Sequence, residues 1–143
     1  MKSTLIIAHR GLSSLYPENT LVAFRKAIEL GVDFIELDVR LSCDGELIVI
    51  HDDTFNRTTD GDGKVCELTL SEIKKYSAGK WFSTSFKKER VPTLKEVFEL
   101  IKKRTKLLIE IKQPGIEKKL VNLIQQYDMT DNVICGSFYL NFQ

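Results

Sequence analysis

Cysteine is scarce here: Cys43, Cys66 and Cys135 are three in 143 residues, odd in number, widely spaced and without a CxxC pair. That rules out a disulfide framework and a thiolate metal site, and favours a reducing compartment. Neither sign of charge is in excess. Twenty-one basic residues against twenty acidic ones leave a net +1. Overall charge therefore gives no reason to expect nucleic acid or an anionic membrane as partner. Lysine and arginine are spread out, apart from short pairs and the cluster Lys102–Arg104, which reads as a solvated helix face. No apolar run approaches the roughly 18–20 residues needed to span a bilayer. The opening segment MKSTLIIAHRG is too poor in apolar residues for a signal peptide and reads as a strand. Repeats of fixed period and low-complexity tracts are absent as well. These absences leave a globular protein, with the cytoplasm as the expected compartment.

What remains fits one domain over residues 1–143, with 43% hydrophobic and 29% charged residues, enough apolar material for a sizeable core. The stretch Asp33–Asp53, DFIELDVRLSCDGELIVIHDD, organises the rest. In its first run Ile35, Leu37 and Val39 alternate with Phe34, Glu36 and Asp38, the period of a strand. The second run, Glu46–His51, is almost wholly apolar until His51 and Asp52. Such runs predict parallel strands covered on both faces. Glu36 and Asp38 then lie side by side at the edge of a core. Like charges held close and desolvated repel, and the usual remedy is a bound cation or a shared proton.

Around that stretch the chain reads as alternating strands and helices. A strand at 4–9 leads into HRG, and PENT at Pro17–Thr20 opens a helix capped by Asn19 or Thr20, with Gly31 as its stop. From Asp52 to about Pro92 the alternation fails. This excursion holds a polar loop at 56–63, a short helix at 69–77 with Thr69 and Glu72 as a capping box, and Trp81 and Phe82 as a lid or packing patch. It is too short for a core of its own. A second capping box at Thr93 starts the next helix, KLLIEIK at Lys106–Lys112 is a strand, a helix runs from about Ile116, and a fifth strand covers 133–138. This order predicts an α/β fold with a parallel sheet.

Functional groups of parallel sheets collect at the C-terminal strand ends, and every candidate lies there. His9 and His51, the only two histidines, each end a strand; Glu36 and Asp38 fall late in the second, and Glu110 and Lys112 end the fourth. Three carboxylates offer oxygen to a hard cation such as Mg²⁺ or Ca²⁺. Arg10 and Lys112 could neutralise phosphate oxygens, and the two imidazoles could divide acid and base duties. Plainer explanations exist for each. The acidic pair could belong to an ion-pair network with Arg10, Arg40 or Lys112. Glu110-Ile-Lys112 could be an exposed edge strand. Two histidines and a carboxylate could bind zinc, and Asp60, Gly61 and Glu67 faintly echo a calcium loop.

The ordered set HRG (His9–Gly11), PENT (Pro17–Thr20), ELDV (Glu36–Val39), HDDTFNRTT (His51–Thr59), VPTLKEV (Val91–Val97) and EIK (Glu110–Lys112) resembles the glycerophosphodiester phosphodiesterase family. The resemblance implies a (β/α)₈ barrel of the triosephosphate-isomerase type, hydrolysing glycerophosphodiesters to glycerol 3-phosphate and an alcohol. It implies His9 and His51 as the acid–base pair, Glu36, Asp38 and Glu110 as ligands of Mg²⁺ or Ca²⁺, and Arg10 and Lys112 as phosphate binders. Phe138 would face substrate, while Glu18 and Asp52 would support. A complete barrel takes about 250 residues. The expectation is therefore an incomplete barrel, about the first five strands with an excursion after the third, with open edges that invite a second copy or complementing chain. A family member that binds without turnover, and a phosphodiester lyase giving a cyclic phosphate, are the alternative readings.

Overall fold

The computed structural model describes residues 4–138; residues 1–3 of the opening segment lie outside that range. Strand β1 (Ile7–His9) is followed by helix α1 (Leu21–Leu30), β2 (Phe34–Leu41) and β3 (Leu47–Val49). Helices α2 (Leu70–Ile73) and α3 (Leu94–Ile101), strand β4 (Lys106–Ile111), helix α4 (Glu117–Gln126) and strand β5 (Val133–Gly136) complete the order. The helix signals act as their chemistry demands. The Thr20 hydroxyl accepts from the Ala23 N–H to cap α1, and Gly31 closes it in the left-handed conformation. Thr69–Glu72 and Thr93–Glu96 form reciprocal capping boxes at α2 and α3.

Four strands run parallel in the order β1-β2-β4-β5, with Asp38 beside Glu110 across the central pair. The alternation in β2 divides its two faces as expected. Ile35, Leu37 and Val39 are fully buried and pack with Phe24 and Ala27 of α1, Leu94, Val97 and Phe98 of α3, and Leu120 of α4. Each fully buried aliphatic or aromatic side chain of this kind contributes about 1.5–3 kcal/mol. The opposite face carries the acids.

One expectation needs correction. β3 is not a parallel strand: it folds back antiparallel on the far end of β2, pairing Val39 with Val49 and Leu41 with Leu47. Its connection, 42–46, is a tight turn in which the Ser42 hydroxyl accepts from the Glu46 N–H and Gly45 takes φ 84°. A parallel crossover needs a dozen or more residues. In the excursion, Phe55, Val65, Ile73, Ala78 and Val91 close over Ile48 and Ile50 of the preceding hairpin in a second apolar cluster. Borrowing the outer side of the hairpin makes this short segment viable.

β1 and β5 each pair on one side only among the described residues. Leu5, Ile6, Ile7, Ile134 and Phe138 are exposed along these margins. The open edges expected of an incomplete barrel are present.

Candidate active site

The loop after β1 builds the first wall. Arg10 and Asn19 both take left-handed backbone, at φ 57° and 55°. The Asn19 N–H donates to the Arg10 carbonyl at 3.0 Å, which ties HRG to PENT. Gly11 is required where it stands: φ is 81°, and a Cβ there would lie 2.8 Å from the Ala23 Cβ. This turn aims the Arg10 N–H at Glu36 Oε2 (3.0 Å) and its guanidinium at Asp38 (3.3 Å) and Glu18 (3.0 Å).

Glu36, Asp38 and Glu110 each place a carboxylate oxygen within 4.8 Å of the others, all on the inner face of β2 and β4. Asp38 is fully buried. One of its oxygens accepts from Asn19 Nδ2 at 2.9 Å; the other, Oδ1, has no hydrogen-bond partner, with Lys112 Nζ 3.5 Å away. Lys112 itself bonds Glu110 at 2.6 Å. Glu36 has no such cation. Burial first, then the negative charge of Asp38, pushes its carboxyl up to about 7. A buried carboxylate oxygen without a partner, beside a carboxyl that resists ionising, is what an oxygen-ligated divalent ion would relieve. The residues fit such an ion. Being all-oxygen, the cluster departs from the zinc alternative, which needed both histidines.

The two histidines come from two strands that pair with the same edge of β2, β1 and the antiparallel β3. His9, exposed on edge strand β1, holds Nε2 3.8 Å from Glu36 Oε2. It lines a cleft of about 500 Å³ with Glu36, Glu110, Ser137 and Phe138. The Phe138 ring lies 6.0 Å from Lys112 Nζ. His51 comes from the antiparallel return of β3, where the Ile50 N–H donates to the Asp38 carbonyl. It lines a small neighbouring pocket with Glu18 and Asn19. Its Nδ1 lies 2.6 Å from Asp52 Oδ1, and Arg40 Nε donates to its backbone carbonyl. Arg57 hydrogen-bonds Asp52, holding its carboxyl well below the ordinary range, and His51 adds to the effect. Asp52 is thus an ionised acceptor, which makes Nδ1 of His51 the donor.

Sequence reasoning passed over two residues. Arg57 forks onto both Asp52 (2.8 Å) and Glu18 (2.8 Å) and joins the β1 loop to the His51 turn. Burial raises the Glu18 carboxyl, but Arg57 and Arg10 outweigh it and the net shift is downward. The sequence suggests Asn19 only as a helix cap; Thr20 takes that role and the Asn19 amide is left for Asp38. The ion-pair alternative holds for Asp38 with Arg10 and Lys112, whereas Arg40 goes elsewhere. The edge-strand alternative fails, since β4 lies between β2 and β5. Asp60 is spent on the Ser77 N–H and Lys80, and it joins no metal-type cluster among the described residues.

A half-closed parallel barrel with its polar groups at the strand C-termini is the class that fold and site together define. The chain belongs to the glycerophosphoryl diester phosphodiesterase family, whose sequence model matches residues 9–135. A glycerophosphodiester phosphodiesterase of Caldanaerobacter subterraneus is 55% identical over 141 residues, which cover 94% of this chain and 58% of that protein. The crystal structure of the Agrobacterium tumefaciens glycerophosphodiester phosphodiesterase superposes with a TM-score of 0.91 at 40% identity, covering 95% of this chain and 58% of that one. An Oleispira antarctica phosphodiesterase, solved with its product sn-glycerol 3-phosphate, gives 0.89 at 37% identity, covering 96% and 58%. The chain therefore spans a little over half the length of the relatives it matches. No helix of the described residues is long and apolar enough to cross a membrane.

Proposed function

We propose that this chain carries the acid–base and metal-binding part of a glycerophosphodiester phosphodiesterase, releasing glycerol 3-phosphate and an alcohol. The observation that supports it is the carboxylate trio Glu36, Asp38 and Glu110, gathered within 4.8 Å, with the His9 imidazole 3.8 Å from Glu36. The three acids would hold Mg²⁺ or Ca²⁺, and such an ion, when bound, would polarise a phosphoryl oxygen and offset the charge of the diester. Arg10 and Lys112 bind phosphate oxygens, and Phe138 lines the substrate side of the cleft. Asp52 holds His51 with its proton on Nδ1, so Nε2 is the basic nitrogen and takes a proton from the attacking water. The imidazolium that forms is stabilised by the same carboxylate. His9 returns a proton to the departing alkoxide, whose bond to phosphorus breaks as the water oxygen bonds. Glu18 supports Arg10 and Arg57. Glycerophosphodiester relatives and the product seen in the Oleispira enzyme favour this substrate class.

The test is release of glycerol 3-phosphate from glycerophosphocholine. We expect loss with a chelator, and a fall of roughly 10²–10⁴-fold for His9→Ala or His51→Ala. Activity that survives either change overturns the acid–base assignment. Phosphorus NMR of the product separates hydrolysis from cyclisation. His9 is 67% exposed on an edge strand, which favours a second reading for this chain alone: binding of metal and phosphate without turnover until further strands dock on β1 and β5. Calorimetry showing divalent-ion binding alongside intact substrate would establish it.

A further inference from the structure

The near-neutral total hides a strongly uneven segment. Between Lys74 and Arg90, six of the seven charged residues are cationic, and Glu89 is the sole acid. Lys74 is used internally, bonding Glu96 and the Val91 carbonyl. Lys75, Lys80, Lys87, Lys88 and Arg90 are exposed and line one shallow depression of about 330 Å³. Asp60 answers them only with a 3.8 Å contact to Lys80. The Arg90 guanidinium is anchored, donating to the Lys87 and Glu89 carbonyls.

An aromatic ridge adjoins this depression in the chain. Trp81 and Phe82 are exposed at 41% and 37%. Trp81 is fixed by its Nε1–H, which donates to the Ala78 carbonyl, and the rings continue edge to face through Phe82 and Phe86 to Tyr16. Tyr16 belongs to the loop that carries Arg10, and its neighbour Leu15 is 65% exposed. The ridge therefore extends from Trp81 to the loop that carries Arg10.

We propose that this face docks on an anionic lipid bilayer, with Trp81 and Phe82 entering the interface and Lys75, Lys80, Lys87, Lys88 and Arg90 meeting acidic headgroups. Exposed aromatic side chains flanked in the chain by exposed lysines match a boundary that is apolar within and negatively charged at its surface. Duplex nucleic acid supplies the negative charge but no apolar layer for Trp81 and Phe82 to enter. The inference stands whether or not the chain turns over substrate, since it concerns the excursion and not the carboxylates.

Trp81 is the only tryptophan, so its fluorescence reports this face alone. Vesicles of phosphatidylcholine with 30% phosphatidylglycerol should shift its emission to shorter wavelength and shield it from acrylamide, whereas pure phosphatidylcholine should not. K87E/K88E should weaken vesicle co-sedimentation at least tenfold, as should 0.5 M NaCl. F82A should weaken it while retaining the charge dependence, and glycerol 3-phosphate binding should persist in both variants. Equal binding to neutral vesicles, or binding unchanged in K87E/K88E, would overturn the proposal by giving the attachment to the open sheet margins. A response to duplex DNA as large as that to vesicles would overturn it in favour of nucleic acid.

Discussion

At the scale of single residues, the site is governed by how each acid is compensated. Asp38 has Asn19, Arg10 and Lys112, whereas Glu36 has one backbone N–H and a distant imidazole. That inequality would make Glu36 the residue most affected by a bound metal ion. With an ordinary value of 4.5 and a folded value of about 7, the folded chain holds the Glu36 proton more tightly than the unfolded chain does. Between those two pH values stability should therefore fall as pH rises. Thermal melts in EDTA should show a lower Tm at pH 7.5 than at pH 5. Added Mg²⁺ should raise Tm more at the higher pH; equal shifts at both would remove Glu36 from the site. Arg57 sets a second expectation. It joins Asp52 to Glu18, and Arg57→Ala should lower kcat roughly 10–100-fold, the usual cost of losing an outer partner, with the acid-side pKa of the rate profile, the limb set by the general base, displaced. The acids were legible as a period-two pattern in a strand. Arg57 was not, because an arginine in a polar loop looks the same whether it faces water or bridges two carboxylates 39 and 5 residues away.

At the scale of elements, local chemistry was the readable part. Caps at Thr20, Thr69 and Thr93 depend on neighbours within four residues, and all three form. The direction of β3 depends on the length of a connection, and an apolar run carries no direction. The five-residue link 42–46 held that information, and it outweighs the run's parallel-like composition. Hence His51 arrives on a returning strand, at the level of Asp38, and not at the end of another parallel strand. The turn at Gly11 offers an element-scale test. Gly11→Ala meets Ala23 at 2.8 Å in a left-handed conformation, which should cost about 1–3 kcal/mol. Urea denaturation should show it as a lower midpoint. Phosphate affinity should fall too, since the same turn aims Arg10.

For the whole molecule, the sheet is a half-open surface with its acids on the inside and two margins unpaired among the described residues. Composition gave no sign of this, because inward-facing residues awaiting a neighbour have the same hydrophobicity as residues already covered. Only comparison of length with strand number raised it. Ile7 and Ile134, about half exposed on the two margins, make the state measurable. The chain should bind a hydrophobic dye and elute larger than 16.4 kDa as concentration rises. A charge placed on both margins, Ile7→Lys with Ile134→Lys, should return it to a single-chain size. A compact monomer that ignores the dye would contradict the open-edge reading.

Asp38 and Glu110 stand directly opposite each other where β2 and β4 pair. Sliding either strand by one position would send its carboxylate to the helix-covered side, where no cation could follow. An ion held between them would therefore act as a proofreader of alignment, rewarding the one pairing that also assembles the chemistry. Slow amide exchange at Leu37 and Ile109, slower still with Mg²⁺ present, would be its signature.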